Sequence, residues 1–246
     1  MKKIALLGYG RMGHTVQKTA LDRGINVLFA IDNHKNASGT DIPVVGTHAF
    51  EEMVSQLMPD ALIDFSHPDA TLEIAPLAIR YGINMVVCTT GFSIQQQELL
   101  KTLAKDSASA FLLAPNITPG INILMLFANI ASRLLPEYDI QITDYHFKKK
   151  HDRPSGTALK LAHELEKHGH TPDVYGVRAG NIVGKHTVLL AGAEDQIEIT
   201  HQSYFKDIYA KSALDAAERI TGKKGFMTMK DVLNLESILK TCCDEA

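Results

Sequence analysis

Residues 4–13 read IALLGYGRMG, a short apolar run that leads directly into a glycine-rich turn. The turn, Gly8-Tyr9-Gly10-Arg11-Met12-Gly13, has the spacing G-x-G-x-x-G, and residues with helical spacing follow it. In such a unit the first glycine permits a tight turn, the second lets a pyrophosphate approach, and the third lets helix and strand pack closely. The amides at the helix start can then bind phosphate oxygens. The pattern predicts a dinucleotide-binding loop, with a purely structural turn as the alternative.

A second apolar run, Val27–Ile31, is followed at once by Asp32, which lies 19 residues after Gly13. A carboxylate at about this distance typically binds the ribose hydroxyls of the dinucleotide; a helix-cap or turn role is the alternative. Asp32 would repel a 2′-phosphate, whereas His34 and Lys35 could offset the repulsion. Because arginine, the better fork for phosphate, is missing from this turn, we expect NADH or the use of both cofactors.

The remainder of residues 1–117 alternates between short apolar runs and amphipathic stretches. The further strands predicted here are Ala61–Phe65, Met85–Val87 and Phe111–Leu113, and the helices are Arg11–Arg23, Phe50–Leu57, Ala70–Tyr81 and Gln95–Lys105. Short, continuously apolar strands separated by helices are typical of a parallel sheet that is covered on both faces. We therefore expect an α/β fold with a Rossmann-like, doubly wound parallel sheet.

The second half of the chain has a different pattern. Its predicted helices are Gly120–Leu135, Thr157–His168 and Leu214–Ile220, and its predicted strands are Asp139–His146, Tyr175–Val177, His186–Ala191 and Gln196–His201. Several of these strands follow one another without an intervening helix, which favours antiparallel pairing. We therefore expect a smaller α+β domain with a mixed or antiparallel sheet.

The composition of the 246 residues, 45% hydrophobic and 22% charged, excludes a disordered, collagen-like or disulfide-framework protein. The formal net charge of −3 gives no indication of nucleic-acid binding. Three cysteines favour reduced thiols in the cytoplasm, and we expect no targeting segment. The apolar stretch Ile121–Leu135 contains Asn122, Asn129 and Arg133, so we expect no membrane span.

Residues 144–158 read DYHFKKKHDRPSGTA and form the richest polar stretch. His146 is predicted to end a strand, where an imidazole could transfer a proton near neutral pH. A cationic loop follows, and Ser155-Gly156-Thr157 opens the next helix, so amides and lysines could bind an anion such as a carboxylate. Structural alternatives stay open here: a solvated lysine loop, Ser155 as a helix N-cap, and His146 as a structural histidine.

The chain resembles the 4-hydroxy-tetrahydrodipicolinate reductase (dihydrodipicolinate reductase) family over nearly its whole length. The likeness is carried by the glycine loop, Asp64-Phe65-Ser66 with Pro68, Thr89-Thr90-Gly91-Phe92, Pro115-Asn116, Gly120-Ile121-Asn122, the segment from His146 to Ala158, Arg178-Ala179-Gly180, Gly184-Lys185-His186-Thr187, Glu198-Ile199-Thr200-His201 and Met229-Lys230-Asp231-Val232-Leu233. The most specific of these is His-x-x-x-Lys-x-Asp-x-Pro-Ser-Gly-Thr-Ala, which follows a Rossmann-like half.

The resemblance implies a cytoplasmic, homotetrameric enzyme of the diaminopimelate route to lysine that uses NADH or NADPH. Hydride would reach a cyclic, unsaturated dicarboxylate, water would be lost from the hydroxylated ring, and tetrahydrodipicolinate would be the product. No nucleic acid, membrane or metal is implied. The implied domains are a dinucleotide-binding domain at 1–117, a substrate-binding and oligomerisation domain at 118–205, and a return to the first domain at 206–246.

The resemblance also implies roles for residues at matching positions. His146 matches a proton donor or acceptor and Lys150 a proton donor, while Gly156 and Thr157, with Ser155 and Phe147 beside them, match contacts to the substrate. The positions that match dinucleotide contacts are Gly8, Tyr9, Gly10, Arg11, Met12, Gly13, Asp32, Cys88, Thr89, Thr90, Ala114, Pro115, Asn116 and Ile117.

One departure from the family pattern lies inside the catalytic segment. The family usually has two adjacent histidines here, the second in contact with substrate, and Phe147 occupies that second position. A phenyl ring cannot donate a hydrogen bond, so the contact is lost or is supplied by Lys148, Lys149 or His151.

Other departures affect single contacts. Cys88 replaces a common glycine, Ser212 replaces a frequent glycine, and Lys206 lies where the family often has arginine. Asn33 stands where some members carry an arginine for the 2′-phosphate, which again favours NADH. The competing hypotheses are a related Rossmann amino-acid dehydrogenase with a changed substrate and a non-catalytic NAD(P) sensor, although a sensor would need a degraded active loop.

Overall fold

A computed structural model describes residues 1–33 and 40–244. The chain forms two compact units, the first made of Met1–Ile117 with Tyr209–Ala246 and the second of Thr118–Ile208. The strands are β1 Lys3–Leu7, β2 Asn26–Ile31, β3 Val44–Val45, β4 Ala61–Asp64, β5 Asn84–Val87, β6 Ala110–Leu113, β7 Asp139–His146, β8 Asp173–Arg178, β9 Gly184–Ala191, β10 Gln196–Ser203 and β11 Gly225–Met227. The helices are α1 Arg11–Asp22, α2 Phe50–Leu57 (after a 3₁₀ turn at Thr47–Ala49), α3 Pro68–Arg80, α4 Ile94–Ala104, α5 Pro119–Leu134, α6 Gly156–Glu166, α7 Asp207–Ile220, α8 Met229–Val232 and α9 Leu235–Asp244.

The first unit contains a seven-stranded parallel sheet with the strand order β11-β6-β5-β4-β1-β2-β3. Six of its strands follow the order 3-2-1-4-5-6 of doubly wound dinucleotide-binding sheets. This confirms the predicted Rossmann-like sheet. The strands β3 and β11 were not predicted, because two or three residues are too short to show an apolar pattern.

Both faces of this sheet are buried, as the continuously apolar strands predict. In β1, Ile4 and Leu6 pack into one hydrophobic cluster, whereas Ala5 and Leu7 pack into a second one. Successive side chains of a strand point to opposite faces, so the two clusters lie on opposite sides of the sheet. Because all strands of this sheet are parallel, their carboxyl ends share one edge. Ligands of such sheets bind at that edge.

The second unit contains a four-stranded mixed sheet with the order β10-β9-β7-β8. Strand β8 runs parallel to β7, with α6 as the connection, whereas β9 is antiparallel to both β7 and β10. One face packs with α5 and α6 through residues such as Ile142, Val188, Leu124 and Leu161. The predicted smaller domain with a mixed sheet is confirmed.

The segment after β10 differs from the sequence prediction. Helix α7 begins at Asp207 rather than at Leu214, and the second unit extends to Ile208 rather than to residue 205. Lys206, in the residues added to the second unit, contacts that unit: its ammonium lies 4.7 Å from the centre of the Phe147 ring.

Helix α5 corresponds to the long apolar stretch of the sequence. Ile121, Leu124 and Ala128 are buried along one side of it, whereas Ile123 and Phe127 are exposed. Over residues 1–33 and 40–244, none of the helices combines the length and the apolar character that a bilayer crossing needs.

Candidate active site

The glycine loop of the first unit has the geometry that its sequence predicts. Gly8 has a φ of +87°, and a Cβ at this position would lie 2.7 Å from the carbonyl oxygen of Phe65. A Cβ on Gly13 would overlap the carbonyl oxygen of Gly8, whereas a Cβ on Gly10 would have nothing within 4 Å. Gly8 and Gly13 are therefore required for close packing, and Gly10 leaves open space beside the backbone.

The open space at Gly10 lies at the amino end of a helix. Gly10 is the N-cap of α1, and no side chain caps this helix end. Strand β1, which precedes the loop, pairs with β4 on one side and with β2 on the other, at the point where the strand order reverses. Backbone amides and a helix dipole at such a switch point suit a pyrophosphate, so the loop fits a dinucleotide.

Asp32 lies beside this loop, directly after β2. Its Oδ2 accepts a hydrogen bond of 2.9 Å from the Tyr9 amide, which links the end of β2 to the glycine loop. The neighbouring Asn33 is engaged elsewhere, because its Oδ1 accepts a hydrogen bond of 2.9 Å from the Thr47 amide. His34 and Lys35, expected to influence the choice between NADH and NADPH, lie outside the described residues.

The other predicted dinucleotide residues follow the carboxyl ends of neighbouring strands. Cys88, Thr89 and Thr90 follow β5, and Ala114 to Ile117 follow β6. Thr90 is exposed and Thr89 is buried, while burial, with a smaller contribution from Asp64, raises the pKa of the Cys88 thiol. The Tyr9 side chain is buried, with its ring 4.2 Å from that of His14.

A buried carboxylate, which belongs to the family motif Asp64-Phe65-Ser66 but was given no role in the sequence analysis, holds these loops together. Asp64 ends β4, and its Oδ1 accepts hydrogen bonds from the Ser66 amide at 2.9 Å, the Ser66 hydroxyl at 2.6 Å and the Thr89 hydroxyl at 2.7 Å. Its Oδ2 accepts one of 2.5 Å from the Thr71 hydroxyl. Burial raises the pKa of Asp64, although these donors oppose the rise. The sequence signal was a carboxylate at the end of an apolar strand with hydroxyl residues after it.

In the second unit, one row of residues crosses the whole sheet on its buried face. Asp144 of β7 pairs in register with Gly176 of β8 and His186 of β9, and His186 pairs with His201 of β10. Glycine is needed at 176 because a Cβ there would lie 2.6 Å from Cγ of Arg153. His146 follows Asp144 by two residues and therefore points to the same face.

Asp144 is fully buried and is the centre of this cluster. Its Oδ2 accepts a hydrogen bond of 3.2 Å from the Ser155 amide and lies 3.2 Å from Nη2 of Arg178. The same oxygen lies 3.4 Å from Nε2 of His146. Within residues 1–33 and 40–244, Asp144 Oδ1 and His146 Nε2 are buried without a hydrogen-bond partner.

The hydrogen bonding of His146 defines its tautomer. Nδ1 lies 3.0 Å from the carbonyl oxygen of Val183. A carbonyl only accepts, so Nδ1 carries the hydrogen and the neutral ring presents its Nε2 lone pair towards Asp144. Burial lowers the pKa of His146, and Lys150 and Arg178 lower it further, while the Val183 bond and Asp144 raise it. The net effect is a pKa of His146 below its ordinary value.

His186 connects the cluster to the start of α6. Its ring meets that of His146 edge to face at a centroid distance of 5.4 Å, and its Nε2 lies 3.3 Å from Oγ of Ser155. Ser155 is the N-cap of α6, since its Oγ accepts a hydrogen bond of 3.3 Å from the Ala158 amide. Burial, with a contribution from His146, lowers the pKa of His186 to about 4.

A carboxylate already occupies the amino end of α6. Lys150 pairs with the carboxylate of Asp152, which also accepts hydrogen bonds from the backbone amides of Asp152 and Gly156. Burial raises the pKa of Asp152, but Lys150 and the two amides outweigh burial and keep this pKa below its usual range. Two groups predicted to bind a substrate carboxylate, the Lys150 ammonium and the Gly156 amide, thus bind one together here.

The position of Phe147 shows a neighbour that the sequence analysis did not connect to it. The Lys206 ammonium lies over the Phe147 ring, a cation–π contact across 59 positions of the chain. Lys148, Lys149 and His151, considered as replacements for the missing histidine contact, are all exposed. Lys206 is a further basic residue near this loop, and the sequence carried no signal for this pairing.

The residues match a known family over both units. The models named "Dihydrodipicolinate reductase, N-terminus" and "Dihydrodipicolinate reductase, C-terminus" match residues 2–117 and 120–233. The 4-hydroxy-tetrahydrodipicolinate reductase of Archaeoglobus fulgidus is 34% identical over 249 residues, which cover 91% of this chain and 96% of that relative. The enzyme of the same name from Ralstonia pickettii is 36% identical over 264 residues, which cover 95% of this chain and 100% of that relative. The chain belongs to the dihydrodipicolinate reductase family.

Solved structures agree with the fold. A dipicolinate-bound dihydrodipicolinate reductase from Paenisporosarcina sp. TG-14 has a TM-score of 0.78 at 22% identity and covers 93% of this chain and 97% of its own. A diaminopimelate dehydrogenase from C. glutamicum has a TM-score of 0.59 at 12% identity, with 92% of each chain covered. At these identities the likeness concerns the fold alone.

Membership in the dihydrodipicolinate reductase family decides between the functional hypotheses. The chain is an oxidoreductase with the family's reductase role in the diaminopimelate route to lysine, rather than an amino-acid dehydrogenase or a sensor. Its first unit is the NAD(P)-binding one, in agreement with the glycine-loop geometry.

The cluster in the second unit of this reductase also has the composition of a metal site. One ligand atom each of Asp144, His146 and His186 lies within 4.8 Å of the others. However, the Arg178 guanidinium already contacts the Asp144 carboxylate at 3.2 Å. A fixed cation at this distance opposes the binding of a second one, so the charge arrangement favours proton chemistry over metal binding.

Proposed function

We propose that this reductase binds the two carboxylates of 4-hydroxy-tetrahydrodipicolinate at the loop between β7 and α6, and that His146 and Lys150 handle the protons of the reaction. The observation that carries the proposal is the Asp152 carboxylate held by Lys150 and the Gly156 amide. A substrate carboxylate would take the place of this side chain. The dipicolinate in the similar Paenisporosarcina structure, a planar dicarboxylate, supports the same ligand class.

The amino end of α6 supplies the anion contacts in this proposal. Ser155 keeps the first turn in place through its cap, and the Gly156 amide is directed to the Asp152 carboxylate. Thr157 follows directly in this first turn. The partial positive charge of the helix end and the Lys150 ammonium both stabilise an anion there. The second carboxylate would bind among the remaining basic side chains of the loop, with Lys206, held over the Phe147 ring, as a further candidate.

The dinucleotide supplies hydride to the ring when it is bound, and the chain supplies the proton. After water has left the hydroxylated ring, hydride addition to the conjugated ring imine produces an electron-rich, enamine-like species. Lys150 is the proposed proton donor, because its ammonium also binds the adjacent carboxylate. His146 is proposed to pass a proton on or to withdraw one, since burial keeps its pKa below the ordinary value and its Nε2 lies 3.4 Å from Asp144 Oδ2.

The dinucleotide is proposed to bind along the carboxyl edge of the first unit, through residues 8–13, Asp32, residues 88–90 and residues 114–117. Asp32 is held next to the glycine loop by its bond to the Tyr9 amide, in a position that suits ribose hydroxyls. Asn33 is engaged with Thr47, so its side chain is not directed to a 2′-phosphate. We therefore propose that NADH is used at least as well as NADPH.

We further propose that the reductase is a cytoplasmic homotetramer that assembles through the second unit. The face of the mixed sheet opposite α5 and α6 carries an uncharged row, in which Tyr175, Thr143, Thr187 and Thr200 lie in register. Tyr175 is 51% exposed, and aromatic side chains are enriched at interfaces between protein chains. Light scattering coupled to size-exclusion chromatography measures the assembly, and a monomer at micromolar concentration would contradict it.

Turnover of 4-hydroxy-tetrahydrodipicolinate that is generated in situ tests the proposed function, and the loss of NADH or NADPH absorbance follows the reaction. Pyridine-2,6-dicarboxylate should inhibit competitively with the substrate and leave the affinity for the dinucleotide unchanged. The absence of inhibition at millimolar concentration would show that the β7–α6 loop is not the dicarboxylate site.

A further inference from the structure

We propose that Asp144 is a positioning residue of this reaction: it orients the His146 imidazole, stabilises its protonated form, and holds the first turn of α6 beside it, while Arg178 keeps Asp144 in place. The inference rests on the proposed function, because it deepens the role of His146. Sequence reasoning did not single out Asp144, which lies two residues before the histidine on β7.

Three elements meet at one carboxylate oxygen. Asp144 Oδ2 accepts from the Ser155 amide at the start of α6, faces Arg178 at the end of β8, and lies 3.4 Å from His146 at the end of β7. Arg178 also donates to the carbonyl oxygens of Val177 and Asp152, which fixes its guanidinium. A movement of Asp144 would therefore move the proton-carrying ring and the anion-binding turn together.

Burying the Asp144 carboxylate costs free energy of folding, so its presence calls for a reason. The side chain is 0% exposed, and in the described ranges its Oδ1 has no hydrogen-bond partner. A buried carboxylate requires a compensating charge, and Arg178 supplies it. An asparagine would remove the need for both charges, so the charged pair points to an electrostatic task rather than to stability alone.

The electrostatic task follows from the tautomer of His146. With Nδ1–H bonded to Val183, the neutral ring leaves its Nε2 next to Asp144 without a hydrogen. On protonation, Nε2–H points at the carboxylate, so Asp144 stabilises the imidazolium. The charged and titratable groups that face His146 are Asp144 on β7, Lys150 on the loop, Arg178 on β8 and His186 on β9. Of these four, Asp144 alone carries negative charge and favours the protonated ring.

Nuclear magnetic resonance titration of the His146 ring in the unliganded enzyme measures this coupling directly, with the signal assigned by its loss in His146→Gln. Asp144→Asn should move the His146 titration to lower pH, and Arg178→Gln should move it to higher pH, since Arg178 opposes protonation. Asp139→Asn, on the same strand but exposed, is the matched control and should leave the titration unchanged. Unchanged titrations in both cluster variants would overturn the proposal.

Steady-state kinetics then separate positioning from a merely structural role. Asp144→Asn should lower kcat at least roughly tenfold, a part of the 10²–10⁴ that a positioned acid or base contributes, and should shift the pH profile of kcat in the same direction as the titration. The KM for NADH should stay within a factor of about two, because the dinucleotide residues lie in the first unit. A lower kcat with an unshifted pH profile would assign Asp144 a structural role only.

An inactive wild-type enzyme and a variant that does not fold can each be told apart from a failure of the Asp144 proposal. If wild-type enzyme does not turn over the substrate, the proposed function fails, while the ring titration still decides whether Asp144 and His146 are coupled. If circular dichroism shows that Asp144→Asn does not fold, Arg178→Gln carries the test alone: a His146 titration that moves to higher pH supports the proposal, and one that does not move contradicts it.

Discussion

Two aspartates, Asp64 in the first unit and Asp144 in the second, are both fully buried near the carboxyl end of a strand, yet their surroundings differ. Asp64 accepts four hydrogen bonds from three hydroxyls and one amide, so both of its oxygens are satisfied by neutral donors. Asp144 has one amide and one guanidinium on Oδ2, and Oδ1 is without a partner in the described part of the chain.

We infer that the difference separates a carboxylate that builds a site from one that takes part in the proposed proton chemistry. A satisfied polar network rigidifies its surroundings, and Asp64 accordingly fastens the loops after β4 and β5 together. An incompletely satisfied buried group in a native protein requires an explanation, and at Asp144 the explanation is the imidazole 3.4 Å away. The first unit thus presents fixed backbone to a dinucleotide, and the second unit presents groups that can change their protonation.

The largest expected effect comes from removing the proton-handling groups of the second unit. His146→Ala or Lys150→Ala should lower kcat by roughly 10²–10⁴, the usual contribution of a positioned acid or base. Lys150→Ala should also raise the KM for substrate, because its charge binds the ground-state anion. Titration with NADH followed by fluorescence should give the wild-type affinity in both variants. If His146→Ala keeps more than half of the wild-type kcat with an intact fold, another group delivers the proton.

The next effect concerns the satisfied network of the first unit. Asp64→Asn places an amide donor against existing donors, so the free energy of unfolding should fall by about 1–3 kcal/mol. The KM for the dinucleotide should rise, because Thr89 loses its anchor, while kcat should change little. Urea unfolding and steady-state kinetics measure the two quantities, and exposed Asp106→Asn is the matched control. A large loss of kcat at an unchanged dinucleotide KM would give Asp64 a chemical role and remove the contrast with Asp144.

A smaller effect is the acid sensitivity that the buried histidine row gives to the second unit. The pKa of His186 is lowered to about 4, so below its ordinary value of 6.5 the unfolded chain binds a proton that the folded chain does not. The free energy of unfolding must therefore fall as the pH drops from about 6.5 towards 4. Between pH 7 and pH 5, the free energy of unfolding should fall by about 2 kcal/mol more in the wild type than in His186→Gln. His163 is exposed, so the control variant His163→Gln should lose as much free energy of unfolding as the wild type. Equal losses in all three proteins would contradict the assignment of the acid sensitivity to His186.

The smallest expected effect is the cofactor ratio, which concerns the first unit alone. Because Asp32 stands at the proposed ribose position and Asn33 is bonded to Thr47, kcat/KM for NADH should equal or exceed that for NADPH. Assays with both cofactors side by side measure the ratio. Asn33→Arg should move it towards NADPH by introducing a guanidinium. A wild-type preference for NADPH of more than tenfold would contradict the prediction and direct attention to His34 and Lys35.

Much of the fold was predictable because its signals are local. The apolar runs that became β1, β2, β4, β5 and β6 are continuous, since both faces of the sheet are buried. The start of α7 at Asp207 was missed, because the sequence analysis assigned helical spacing only from Leu214 onwards and gave no helix to the mixed segment from Asp207 to Ala213. The Ser155 cap and the proposed anion site at Lys150 and Gly156 could also be predicted from the sequence. The residues concerned lie within a few positions of one another.

The sequence by itself determined the glycine loop, the two kinds of sheet and the segment from His146 to Thr157, because steric limits, side-chain periodicity and helix-end amides act between near neighbours. Only the tertiary structure decided that Asp144 meets Arg178 34 positions away, that His186 lies beside Ser155, and that Lys206 covers Phe147. These pairs depend on the strand register of the mixed sheet and on where each connection returns. The physical reason is that a contact between distant residues is set by the packing of whole strands and helices, and no local pattern carries that information.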